Sequence, residues 1–596
     1  MGKSKHVRLW CPVLSLASIC LLAAALLAAP AFALSKSSLS EPAIPQSGLP
    51  VPPSVLPVIV LQGSDYNMGY QYYQQVDKLF GASILKAMQV PGGFSDQQLV
   101  ALKAYQWYIE KYTPEYIDMF KGMAQAATDL GVPLSYTEVL ANYVGTTAYP
   151  GTEPPGSSSA TLPPTCSCWA AWGKETTDGS LITGQEMDPP WGDFGNNDYV
   201  AIVAYPSTGN AYMEVCQPGQ LSAIPVMPGI NDKGVSTSGN LGGAWRDVDY
   251  GQGAYGLNTG LIPHILRFAD SAAQAKDMWL SFHAPGIWNF TVSDVKGNAF
   301  CVESSAAFQT VRKPGDFGEG DFIYSRNCFF TNGAASLNGQ PGKFYPHGGW
   351  ALNPVMSQPP DSQSDMQLAS VRTNQTMYNM FSEYVGHVDL NFAEMMFRYH
   401  GVIPADPWNL QQFRQTEAKY FGNPGNLNAG FVTISQPADG DSGVMNICTG
   451  SAGRVGLPYE AGPEDDVNWV AGTHSFYQLE LAADPGSMVS AAQSAAESDV
   501  SWAYQKLMWE NYGSPGFEGL NALYSQATLE YDQGSNWMTE ASSASGNTQL
   551  LDDSNAATCF ANAQAHAQEV YDALVLPATT PSALGLPAYI PYQYGF

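Results

Sequence analysis

Residues 149–164 set the strongest limit on how this chain can fold. The segment holds Pro150, Pro154, Pro155, Pro163 and Pro164, with Ser157, Ser158 and Ser159 between them. Proline fixes φ and removes the backbone donor, so neither a helix nor a central strand continues through such a stretch. It splits the 596 residues into a helix-patterned part and a strand-patterned part, and it ends two residues before Cys166. Directly after it, Cys166-Ser167-Cys168-Trp169-Ala170-Ala171-Trp172-Gly173 has the composition of a strand. Thr177-Asp178-Gly179 marks a turn, and a second strand from Ser180 to Thr183 runs into Gly184-Gln185-Glu186-Met187-Asp188. In an antiparallel pair the start of one strand lies beside the end of the other. The expected hairpin therefore brings the Cys166 thiol next to the Asp188 carboxylate.

The remaining pattern gives the domain organisation. Lys3, Lys5 and Arg8 precede an apolar run from Leu9 to Pro30 and then Ala31-Phe32-Ala33. A basic start, an apolar core and an Ala-x-Ala site predict a secretory signal over 1–33 and a secreted or extracytoplasmic product. The apolar run is also long enough for an uncleaved anchor. No later stretch is apolar over a bilayer's width, so no integral span is expected once the signal is removed. Residues 34–165 read as a mostly helical small chain, with a short strand at 58–61 and helices at 66–90, 95–112, 114–130 and 135–143. Ser64 or Asp65 is placed to cap the first helix and Ser95 the second. Strands dominate from 166 to 303, return at 321–325, 430–435 and 443–449, and alternate with helices at 260–282, 364–385 and 389–398. This second part, 166–485, reads as the catalytic unit. Residues 486–596 form a C-terminal extension, helical to about 575, in which Trp502, Trp509 and Trp537 are the expected packing anchors.

Charge and cysteine content narrow the function. The chain carries a formal charge of -28, which becomes -31 when the three cations of residues 1–33 are removed. So acidic a protein repels nucleic acid and anionic membranes. Nine cysteines less Cys11 and Cys20 leave seven, an odd number, so at least one thiol stays reduced in an exported product. One catalytic cysteine with up to three disulfides among Cys168, Cys216, Cys301, Cys328, Cys448 and Cys559 fits that count. No zinc spacing, P-loop or dinucleotide fingerprint occurs, and no cofactor is expected.

Cys166 is the residue on which chemistry is expected. Only eight histidines occur, and none is near it in sequence. A nucleophile that is itself the N-terminal residue needs no histidine: its own α-amine, titrating near ~7.7–8.0, is the base. That arrangement requires the chain to cut itself between Thr165 and Cys166, next to the proline-rich loop. The run Gly63-Ser64 with Gly69-Tyr70-Gln71, then Cys166-Ser167, Ala170-Ala171-Trp172-Gly173, Asp178-Gly179 and Gly184-Gln185 with Asp188 resembles the autoproteolytic cysteine acyltransferases. This is the acyl-CoA:6-aminopenicillanate acyltransferase family, related to penicillin V acylase and choloylglycine hydrolase. The resemblance spans roughly residues 58–460.

It implies an α+β architecture: an N-terminal-nucleophile αββα sandwich of two stacked antiparallel sheets between helical layers. It also implies a small chain ending at Thr165 and a large chain starting at Cys166. The implied substrate is a small molecule with an acyl group in a non-peptide amide, thioester or ester. Asp188 would orient the amine and thiol of Cys166. Asn327 would be the oxyanion donor, Asn240 a second contributor, and Arg372 a contact to the acid. The chain departs from the family at Glu186, where asparagine is usual, and at Cys328, which replaces a histidine.

Other readings fit some of the same residues. Cys166-Ser167-Cys168-Trp169 is one residue short of the papain-type motif, which would make Cys168 the nucleophile, with His283 downstream. A phospholipase-B-like hydrolase of the same fold and a non-enzymatic binding protein on the same scaffold are further alternatives. Gly440-Asp441-Ser442-Gly443 lacks the second glycine of the serine-protease motif and reads as a turn.

Overall fold

The computed structural model describes residues 55–144, 166–187, 199–218, 227–241, 261–282, 288–304, 309–326, 377–378, 380–398, 430–440, 442–449, 475–510 and 517–575. All of them belong to one unit, Pro53–Phe596. Before the proline-rich segment, strand β1 (Val58–Gly63) leads into α1 (Asp65–Phe80). Ser64 caps α1, its hydroxyl accepting from the Asn67 N–H at 3.3 Å. The helix stops at Gly81, where φ is 74°, so the expected run to residue 90 divides into α1 and a short α2 (Ser83–Ala87). α3 (Asp96–Tyr112) opens on a reciprocal capping box between Ser95 and Gln98. α4 (Glu115–Asp129) follows Pro114, and α5 (Tyr136–Val144) completes the layer. α1 and α4 cross at two glycines. A Cβ on Gly69 would lie 2.0 Å from the Met119 carbonyl, and one on Gly122 would lie 2.0 Å from the Tyr66 carbonyl. Gly69 is thus required by helix packing.

After the segment come β2 (Ser167–Ala171), β3 (Ile182–Met187), β4 (Val200–Pro206), β5 (Tyr212–Cys216), β6 (Gly229–Asn231) and β7 (Val235–Leu241). Then follow α6 (Leu261–Phe268), α7 (Ala272–Ser281), β8 (Trp288–Asp294), β9 (Ala299–Ser304), β10 (Gln309–Arg312), β11 (Phe322–Arg326), α8 (Leu390–Arg398), β12 (Phe431–Gln436), β13 (Gly443–Thr449) and β14 (Phe476–Leu481). They form an eight-stranded sheet in the order β1-β4-β5-β6-β7-β8-β9-β10 and a six-stranded sheet in the order β11-β2-β3-β12-β13-β14. β1 and β4 run parallel, and the other pairs are antiparallel. β6, β10 and β14 add to the strands expected from sequence. The first two span three and four residues, too short to register a period of two.

Side-chain alternation sorts the strands into layers. Ile59, Leu61, Val200, Ile202 and Phe290 face helices α1 and α4–α7. Trp169, Ile182, Phe322 and Ile434 face the helical residues between 377 and 397. Val58, Val60, Val203, Phe431, Ile447 and Leu479 meet between the sheets. The result is an α+β sandwich, two sheets with helices on both outer faces.

Three long helices end the described chain: α9 (Pro485–Glu510), α10 (Phe517–Ser543) and α11 (Asn547–Val575). Met488, Val489, Ala557 and Phe560 from α9 and α11 enter the inter-sheet core. The helices also cover strand edges. β1 and β14 are the outermost strands on one side of the sandwich. The Val58 N–H donates to Thr558 Oγ1 at 2.9 Å, and Ser554 Oγ donates to the Val58 carbonyl. Gln564 holds the β14 edge: its Oε1 accepts from the Gln478 N–H at 2.9 Å and its Nε2 donates to the Gln478 carbonyl at 3.2 Å. Further along the same β1 edge, from α1, Gln75 brackets Val60 (3.0 and 2.7 Å) and Gln71 brackets Gln62 (2.8 and 2.9 Å). An edge strand presents unpaired amides that template aggregation. Here side chains from the two ends of the chain satisfy them. The tryptophan expectation needs correcting. Trp537 packs against the core, but Trp502 and Trp509 are 54% and 83% exposed. Ala503 and Leu507 occupy the packed face of α9 instead.

Candidate active site

The β2–β3 hairpin forms with Ser167 opposite Glu186 and Ala171 opposite Ile182. Trp169 fills the outer face of β2 against Phe381 and Phe397. Its indole lies over Gly184, where a Cβ would sit 2.5 Å from the ring, so the Gly184 that precedes Gln185 is fixed by the tryptophan across the ladder. Cys166 immediately precedes β2. It is 3% exposed, and its thiol donates to Met187 Sδ at 3.7 Å. By alternation Cys166 and Cys168 both point into the space between the sheets.

That space is apolar on one side of β2, around Val58, Met187 and Phe431, and again around Ala170, Cys301 and Ile323. Between these lies a buried polar cluster. Cys168 Sγ is 2.9 Å from Ser325 Oγ and 3.5 Å from Thr291 Oγ1. Asn240, fully buried, donates through Nδ2 to the Ser325 carbonyl (2.9 Å), to Ser325 Oγ (2.9 Å) and to Cys168 Sγ (3.4 Å). Its Oδ1 accepts from Asn289 Nδ2 at 2.8 Å. One amide thus ties β7, β8, β11 and β2 together. Two more bonds cross between the sheets nearby. Gln185 Oε1 accepts from the Gly239 N–H at 3.0 Å, and the Thr183 and Ser236 hydroxyls are 2.9 Å apart. Burial pushes the Cys168 thiol above its ordinary value, and hydrogen bonds from Ser325, Thr291 and Ser238 oppose that in part. Beyond the cluster, Arg312 is fully buried, 2.8 Å from Glu319 and 3.6 Å from Glu303.

Of the residues singled out in the sequence, Cys166 and Asn240 lie among the described residues, and both face the inter-sheet space. Asn240 meets Cys168, the cysteine two positions along β2. Thr165, Asp188, Asn327 and Arg372 lie outside the described residues. The sequence reading overlooked Ser325, Thr291 and Asn289. For Thr291 and Asn289 the signal is the polar alternation Ser236, Ser238, Asn240 on β7 and Asn289, Thr291, Ser293 on β8, which marks a polar inner face; Ser325, on β11, carries no such pattern. No two of the six described cysteines, Cys166, Cys168, Cys216, Cys301, Cys448 and Cys559, are joined by a disulfide, and Cys328 lies outside the described residues. Among the described residues no cluster of histidine, cysteine and carboxylate side chains is arranged to hold a metal ion. No described helix is long and apolar enough to cross a membrane.

No family model matches the chain, and no curated protein matches it. Solved structures do. An N-acylethanolamine-hydrolyzing acid amidase ortholog from Caenorhabditis elegans is 14% identical with a TM-score of 0.28, the match covering 46% of this chain and 93% of that one. Penicillin V acylase from Agrobacterium tumefaciens is 14% identical with a TM-score of 0.25, covering 48% of this chain and 83% of that one. A variant of conjugated bile acid hydrolase from Clostridium perfringens is 13% identical with a TM-score of 0.26, covering 52% and 96%. Identities and scores this low do not carry those activities to this chain.

Proposed function

We propose that this chain is an exported, self-processing hydrolase or acyltransferase in which Cys166 is the nucleophile. Cleavage between Thr165 and Cys166 would free the α-amine of Cys166. The thiol then adds to an acyl carbonyl in a small-molecule amide, thioester or ester, and its proton passes to that amine. As the tetrahedral intermediate collapses, the amine returns the proton to the leaving group, and an acyl-enzyme thioester remains. Water or an amine takes the acyl group in the second half of the cycle. Asp188 would orient the amine, Asn327 would hold the oxyanion, and Arg372 would meet the substrate's acid. Asn240 would contribute by fixing Ser325, two residues before Asn327.

The observation that carries this reading is the position of Cys166. It stands at the start of β2, a strand paired on both sides, facing the other sheet, just after the proline-rich segment. Both ladders beside it end in register at the next residue, Ser167, which pairs with Arg326 on one side and Glu186 on the other. In sequence Asn327 follows Arg326, and Asp188 is two residues beyond Glu186. Cys168, the nucleophile of a papain-like reading, has Asn240 on its sulfur, but it is fully buried with a raised thiol.

Intact-mass analysis of the purified protein tests the proposal. The expected result is two fragments meeting between Thr165 and Cys166, replaced by one uncut chain in Cys166→Ala. A thiol-directed electrophile should modify Cys166 and leave Cys168 untouched. An active protein in which the Cys166 nitrogen is still in a peptide bond would overturn it.

A further inference from the structure

Two clefts meet at the start of α11, one of about 490 Å³ and one of about 560 Å³. Asp484, Gln549 and Asp553 line both, and no lysine, arginine or histidine lines either. Asn547 borders the first, and Val489 and Met538 wall the second. Asp484 is already engaged at the start of α9, where its carboxylate accepts from the Ser487 N–H (2.8 Å) and the Ser487 hydroxyl (3.1 Å). Asp553 is different. It is 3% exposed, and its buried Oδ2 has no hydrogen-bond partner.

A buried carboxylate oxygen without a donor is costly, and natural structures retain one where something else supplies the donor. A metal ion is a poor fit, since no group of three or more histidine, cysteine or carboxylate residues is set to hold one among the described residues. An ammonium needs only one carboxylate and a few amide acceptors, and a hydrocarbon substituent would suit the Val489 and Met538 wall. We propose that the paired clefts bind a primary alkylammonium ligand, with its charge on Asp553, its remaining N–H groups toward the Gln549 amide and its chain along Val489 and Met538. This site does not depend on the Cys166 reading.

Burial, then the neighbouring Asp552 and Asp484, push the Asp553 carboxyl up to about 6. Asp552 in turn faces Glu540 and Lys78. Below that pH Asp553 is neutral and loses its attraction for a cation, so binding weakens on acidification through it.

The test is isothermal titration calorimetry of the full-length protein with n-hexylammonium chloride at neutral pH, beside 1-hexanol and calcium chloride. Saturable hexylammonium binding is expected, weakened about tenfold or more in Asp553→Asn, as loss of a charge-assisted bond implies. Asp552→Asn, a carboxylate that lines neither cleft, should retain it. Should Asp553→Asn fail to fold, wild-type binding that persists on acidification well below 6 would overturn the proposal. No binding, equal binding of 1-hexanol, unchanged binding in a folded Asp553→Asn, or Asp553-dependent calcium binding in place of hexylammonium would each do the same.

Discussion

At the scale of single residues, burial decides which side chains act as structural liabilities. Glu214 on β5 is 1% exposed, and neither carboxylate oxygen has a hydrogen-bond partner. Burial pushes its carboxyl well above the usual range, so the folded protein holds this proton to higher pH than the unfolded chain does. In the unfolded chain it ionises above about 4.3. Folding therefore retains a proton that the unfolded state releases, and stability falls as pH rises from that value toward the folded pKa. Glu214→Gln removes the effect. Its stability relative to wild type should improve by up to about 1.4 kcal/mol per pH unit across that window. Urea unfolding of both proteins at a series of pH values measures this, and parallel curves would refute it. Glu214 also illustrates a limit of sequence reading. The strand Tyr212–Cys216 was legible, but a lone glutamate in it gives no sign that its face is covered by helices. Gly184 is similar: a glycine beside a glutamine in sequence, and a necessity once Trp169 lies across the ladder from it.

Among elements, the edges of the sandwich carry the argument. Gln71 and Gln75 are four apart on α1, so their shared face could be read from the sequence. That this face lies along the open edge of β1 could not. Gln75→Leu should leave the Val60 N–H and carbonyl buried without partners, at a cost of about 2–4 kcal/mol. A lowered urea midpoint with an unchanged slope would report it. Gln74→Leu, one position away and only half-buried, should stay within about 0.5 kcal/mol of wild type. Equal losses in the two variants would show that the edge bonds contribute nothing.

For the whole molecule, the last described helices close the sandwich. Removing everything after Asp484 would strip Met488, Val489, Ala557 and Phe560 from the inter-sheet core. It would also uncover Val58 and Gln478 on the two outer strands. The truncated chain should therefore be insoluble or aggregated on expression, read by sedimentation and gel filtration. A soluble monomer with an intact cooperative unfolding transition would contradict this role for the helices.

The sequence by itself determined what depends on near neighbours: the caps at Ser64 and Ser95, and the hairpin through Asp178 and Gly179, whose φ is 82°. Those features arise from φ preferences, short-range hydrogen bonds and the two periodicities, all of which a window of a few residues contains. The layer order was expected from scattered sequence motifs rather than from any local rule. Only the tertiary structure decided which polar residues share a buried cluster. Asn240, Asn289 and Ser325 are up to 85 residues apart and meet because two sheets stack face to face. It alone brought Thr558 and Ser554 to Val58, about 500 residues away. Side-chain chemistry says what each group needs, whereas a partner at that distance is supplied only when the chain closes on itself.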